Sequence, residues 1–85
     1  MKQKVLERKT YRIHFAVANF LKYGYVYKHE HTNEFDCGEK TTLRDILGAR
    51  DIIYDLYGGH VTWNRQSKRY ELPDRITVLN NLVNN

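Results

Sequence analysis

TTLRDILGARDIIYDLYGGHVTWNRQSKRYEL, residues Thr41 to Leu72, changes its period part-way, from a helical repeat through a double glycine into a two-residue alternation. Leu43, Ile46, Leu47, Ile53, Leu56 and Tyr57 recur at helical spacing, while Arg44, Gly48, Asp51 and Asp55 stack along one polar line. An amphipathic helix is expected, capped by Thr41 or Thr42 and ended by Gly58-Gly59, where a residue at positive φ fits. Reversing the chain at Gln66 and Ser67 sets Val61 opposite Leu72, Trp63 opposite Tyr70 and Thr62 opposite Glu71, so one hairpin face is apolar and the other polar. A buried Trp63 is expected from that register. Arg65, Lys68 and Arg69 gather at the tip.

Upstream, Ile13, Ala16, Val17, Phe20 and Leu21 mark a first helix, with Thr10 as its cap and Gly24 as its left-handed end. Tyr25 to Thr32, YVYKHEHT, is aromatic and β-branched with Tyr25, Tyr27, His29 and His31 on one side, which predicts a strand. Asn33 to Lys40 is polar and reads as a loop. Downstream, Pro73 stops the hairpin, and Asp74 can cap a last helix whose apolar stripe is Ile76, Leu79, Leu82 and Val83.

The expected fold is therefore α+β: one domain over residues 1–85, in the order helix, strand, helix, hairpin, helix. Its antiparallel three-stranded sheet is covered by helices on one face. Residues 1–9 are expected either as a flexible basic arm or as a further turn of helix. The order resembles that of a winged-helix domain if the Thr41 to Tyr57 segment breaks into two helices near Gly48. Such a break would relieve Arg50, which otherwise falls inside the apolar arc beside Ile46 and Ile53. A single helix, with Arg50 paired to Asp51 or Asp55 at the core edge, is the favoured alternative.

Eighty-five residues support one small core that buries roughly 60–65% of the unfolded surface, so a homodimer would add stability. No apolar run long enough to span a bilayer is present, and the N-terminal MKQKVLERKTYR lacks the apolar stretch of a secretory signal. Cys37 is the only cysteine, which leaves no internal disulfide and suits a reducing, cytoplasmic setting. The net charge of +4 is unevenly spread. Residues 1–12 carry five Lys/Arg against one Glu, whereas residues 29–60 carry seven Asp/Glu against three Lys/Arg.

That layout favours a non-enzymatic regulatory module that contacts DNA or RNA. Its expected phosphate contacts are Lys2, Lys4, Arg8 and Lys9 in the basic arm and Arg65, Lys68 and Arg69 at the hairpin tip. Tyrosines beside basic residues suit base stacking as well as protein contact. The alternative is a protein-binding module or inhibitor that presents the acidic 29–55 surface through Asp45, Asp51, Tyr54 and Asp55. No cofactor is implied. His29, His31 and Cys37, with His60 or Asp36 as a fourth ligand, are the only metal candidates, and they lack a repeated Cys-x-x-Cys spacing.

A third reading comes from two short stretches. Asn19–Tyr27, NFLKYGYVY, resembles the first helix and glycine-led strand of the small RNase toxins called HicA, and Lys40–Leu47, KTTLRDIL, resembles the start of their final helix. The resemblance implies a small RNase. The Gly-Ser-His-His run that carries the family's catalytic histidine is absent, which leaves His29 or His31 for that role.

Overall fold

The computed structural model of the protein describes residues 5–84. Four helices and three strands follow in the order α1 (Val5–Tyr23), β1 (Tyr25–Val26), α2 (Lys28–Phe35), α3 (Glu39–Tyr57), β2 (Thr62–Asn64), β3 (Arg69–Glu71) and α4 (Arg75–Asn84). The strands form one antiparallel sheet in which β3 lies between β1 and β2. The α+β expectation is met.

Helix α1 forms where its apolar spacing places it. Ala16, Val17 and Phe20 are buried, with Ile13 and Leu21 packed beside them. It begins earlier than Thr10, so Thr10 lies inside the helix, where its carbonyl accepts from His14 Nδ1 at 3.0 Å. Val5 to Lys9 are accordingly helical and form no arm, while Lys2 and Lys4 lie outside the described residues. Gly24 ends the helix at φ +86, and its amide donates to the Phe20 carbonyl at 2.9 Å.

The strand expected over Tyr25 to Thr32 is replaced after two residues by α2. Alternation stops at Tyr27 because the next contacts come at a spacing of four. Tyr27 accepts the His31 amide, and Thr32 Oγ1 bonds back to the Lys28 carbonyl at 2.9 Å. Phe35 then lands one turn beyond His31, and their rings lie 4.9 Å apart. Asp36, at φ 49, closes α2 in the left-handed region. The loop expected over Asn33 to Lys40 is thus only the short link from Asp36 to Gly38.

Helix α3 is continuous through Gly48, so no break occurs there. Gly48 instead lets α1 approach, since a Cβ at that position would meet Ile13 Cδ1 at 3.1 Å. Gly38 is the N-cap, and neither Thr41 nor Thr42 serves as one. Thr42 is fully buried and joins the two helices, with its Oγ1 2.8 Å from Thr32 Oγ1 and 3.2 Å from Cys37 Sγ. The buried line of α3 is Thr42, Asp45, Ile46, Ala49 and Ile53, rotated from the expected stripe, and it leaves Leu43 and Leu56 exposed. Arg50 falls outside that line and donates to Asp51 at 3.3 Å.

The condition attached to the winged-helix likeness is therefore not met: the extra helix is α2, separated from α3 at Asp36–Gly38, and α3 itself is undivided. In the hairpin, Thr62 pairs with Glu71, Trp63 with Tyr70 and Asn64 with Arg69, as expected. Asn64 makes the turn, because its Oδ1 accepts the amides of Gln66 at 2.9 Å and Ser67 at 3.1 Å. Lys68 takes the left-handed position at φ 55.

Helix α4 closes the core with Val78, which is 1% exposed. The expected stripe is corrected, since Ile76, Leu82 and Val83 face solvent. Part of what α4 contributes is polar. Arg75 donates to the Leu21 and Lys22 carbonyls at 2.7 and 2.9 Å, and Asn81 to the Tyr57 carbonyl at 3.1 Å, so α4 satisfies some of the open C-terminal carbonyls of α1 and α3. The Asp74 carboxylate turns to His60, receiving its amide at 3.2 Å and facing its Nδ1 at 3.1 Å, while the Asp74 main-chain carbonyl accepts the Val78 amide at 3.0 Å. Burial by itself would raise the pKa of Asp74, but the bonds from His60 outweigh it and hold the carboxyl below its ordinary value.

Candidate nucleic-acid interface

A cavity of about 520 Å³ opens between α2, the first turn of α3 and the hairpin. Lys28 and His29 enter from α2, Lys40 and Leu43 from α3, and Trp63 and Lys68 from the hairpin. Three lysines face it against one acid, Glu39. The amides of the first turn of α3 end at the same place, and Gly38 offers no side-chain cap to occupy them.

Trp63 was expected in the core and is instead 40% exposed. Its face is the apolar one, shared with Val61, but β2 runs out past the core edge, so the ring rests on Tyr70 with centroids 4.8 Å apart and lies 5.1 Å from Lys28 Nζ. Trp63→Ala should therefore cost only about 1 kcal/mol of stability, the worth of one aromatic pair and a cation over its ring. A loss near 3 kcal/mol in urea unfolding, typical of a buried ring, would return Trp63 to the core.

The expected basic residues divide into separate groups. Arg65 and Lys68 are exposed at the hairpin tip. Arg69 is withdrawn from the tip set, because it donates to Glu71 at 2.6 Å and stacks its guanidinium 4.2 Å from the Tyr25 ring centre. Hydrogen bonding to Glu71 raises the Arg69 pKa, and bonds from Asn64 and then Arg69 lower that of Glu71. The stacking of Arg69 on Tyr25 ties β3 to β1, and its pairing with Glu71 leaves no charge to spare. Lys9 is exposed on α1, and Arg8 lines a different cavity with Tyr11, Arg12, Glu34 and Phe35. Arg44, which was not among the expected contacts, is exposed on the N-terminal half of α3.

The acidic candidates also separate. Asp45 is 1% exposed and so cannot meet a partner; its Oδ2 receives Arg12 Nε at 2.7 Å and lies 2.9 Å from His31 Nε2. Asp51, Tyr54 and Asp55 do stay at the surface, around a cavity on the C-terminal half of α3 with Arg50 and His60. The metal candidates are not brought together. On a helix, residues two apart point to different sides, so His29 faces the basic cavity while His31 turns inward to Asp45. Cys37 meets Thr42, and the described residues contain no group of three ligands placed to hold a metal. No helix among the described residues is long and apolar enough to cross a membrane.

Lys28, Lys40 and Trp63 are the residues that sequence reading missed. The helix at Lys28 was hidden by the strand reading, although Tyr27, His31 and Phe35 carry a readable spacing of four. Comparison with protein-family models, curated proteins and solved structures finds no match. The likeness to the RNase toxins stays confined to its two short stretches, and of its two histidines His31 is buried and bonded to Asp45.

Proposed function

We propose that the protein is a non-enzymatic regulatory module that binds nucleic acid through the α2–α3–hairpin surface. The observation that carries this reading is the convergence of Lys28, Lys40, Lys68 and an exposed tryptophan on one cavity, with Arg65 beside it on the hairpin. Ammonium groups suit phosphates, and an open indole suits a base or sugar. In helix-turn-helix readers the N-terminal residues of the second helix approach the bases. Here that half of α3 presents Lys40 and Arg44, and the carboxylates Asp51 and Asp55 sit on the half that would point away.

Binding to a labelled mixed-sequence duplex, followed by anisotropy across a potassium chloride series, tests the reading. Four phosphate contacts, from Lys28, Lys40, Arg65 and Lys68, give a log-log slope of about −3 to −4. The Arg65→Gln, Lys68→Gln double variant should reduce that slope to about −2 and weaken binding on every sequence. Trp63→Ala should weaken binding by about 1–3 kcal/mol on single strands. Salt-independent binding, or an unchanged affinity in the double variant, would overturn the proposal and favour a protein partner at Asp51, Tyr54 and Asp55.

A further inference from the structure

On the other side of α2 lies a cavity of about 600 Å³ with the opposite character. Tyr23, Tyr25 and Tyr27 form one wall, Glu30 and Glu34 another, and His31 also lines it. No lysine or arginine contributes to the lining. The tyrosines make a continuous row, with ring centres 6.3 Å apart from Tyr23 to Tyr25 and 5.6 Å from Tyr25 to Tyr27. Their faces carry the negative end of the ring quadrupole, which attracts cations.

The row already demonstrates that preference within the chain, since the Arg69 guanidinium sits 4.2 Å from Tyr25 and 5.7 Å from Tyr27. Its own charge is answered by Glu71 at 2.6 Å, so it does not neutralise the cavity. Glu30 and Glu34 are one helical turn apart, both exposed and without an ion-pair partner among the described residues. The third observation is His31. The residue is 2% exposed, its Nε2 is engaged by Asp45, and its Nδ1 has no hydrogen-bond partner among the described residues. Nδ1 is enclosed with the rest of the ring, so His31 backs the cavity while the tyrosines and the two carboxylates are what a ligand meets.

We propose that this cavity is a docking site for an arginine side chain presented by a basic segment of a partner protein. A guanidinium is planar enough to stack on the tyrosines. It also has donors enough to meet both carboxylates at once, which a compact ammonium matches less well. A peptide, and not a free cation, is indicated by Asn19 and Asn33, which also line the cavity and carry amides able to bond the backbone on either side of the arginine. The surface adjoins the proposed nucleic-acid interface at Asn33, which lines both cavities, and the two carboxylates would repel phosphate from it.

The test is a titration of the ¹⁵N-labelled full chain with acetyl-Gly-Arg-Gly-amide, with the citrulline peptide as its neutral isostere and free arginine as the small-cation control. Shifts should centre on Tyr23 to Tyr27 and Glu30 to Glu34, saturating in the millimolar range. The citrulline peptide and free arginine should each bind at least about ten-fold more weakly. Glu30→Gln with Glu34→Gln, both surface changes, should weaken the arginine peptide by about ten-fold as well, with the melting temperature and duplex binding unchanged. Equal binding of citrulline, free arginine matching the peptide, shifts centred on Asp51 and Asp55 instead, or no shifts in that concentration range would each overturn the proposal.

Discussion

Asp45→Ala should remove about 3–5 kcal/mol from the free energy of unfolding, the cost of deleting one member of a buried charged network. The carboxylate is 1% exposed and is the shared acceptor of Arg12 at 2.7 Å and His31 at 2.9 Å. Without it, a guanidinium whose side chain is only 18% exposed and a fully enclosed imidazole are left facing apolar neighbours. His31 cannot turn to water without shifting α2 against α3, whereas Arg12, on α1, lies nearer to solvent. A domain of this size is held by roughly 5–10 kcal/mol in all, so the variant should be largely unfolded at moderate urea. Arg12→Ala should cost distinctly less, because its partner keeps His31 and its own head group is nearer to solvent. Urea midpoints at constant m-value give the comparison. An Asp45→Ala loss below about 1 kcal/mol would mean that the carboxylate is solvated and the α2–α3 contact looser than described.

That network also explains where sequence reading stopped. The period of α1, the end at Gly24 and the hairpin register all follow from local apolar spacing and glycine placement, and all three are observed. Helix α2 did not follow, since Tyr25 to Thr32 has the β-branched and aromatic content of a strand, and the contact that makes it helical lies far along the chain. His31 gains its burial from Asp45, fourteen residues on, and a pattern that counts both residues as polar places both at the surface. The same omission rotated the expected stripe of α3 onto Leu43 and Leu56, which are exposed.

The basic interface was legible only in part. Arg65 and Lys68 could be placed at a hairpin tip because register fixes them there. Lys28 and Lys40 could not, because they meet that tip only after α2 folds as a helix and α3 starts at Glu39. Arg69 was misassigned for a simpler reason: a strand places it two residues from Glu71, on the same side, where pairing is the default.

The adjacent glycines at the end of α3 should respond to alanine by different mechanisms, with the larger loss at Gly59. Gly58 sits at φ +71, and a Cβ there meets nothing closer than Asn81 Nδ2 at 3.9 Å, so Gly58→Ala should cost about 1 kcal/mol, for left-handed backbone alone. Gly59 is buried and needs no positive φ, but a Cβ there would lie 2.5 Å from Val78, 2.7 Å from Ile53 and 3.0 Å from Leu72. Those side chains belong to α4, α3 and the end of the hairpin, so no single rotamer change relieves all three contacts. Gly59→Ala should therefore cost about 3 kcal/mol, the upper end for overpacking a core. It should also loosen α4, seen as faster amide exchange from Ile76 to Leu82. Near-equal losses at the two positions would show that the backbone, and not this three-way contact, sets the requirement for glycine.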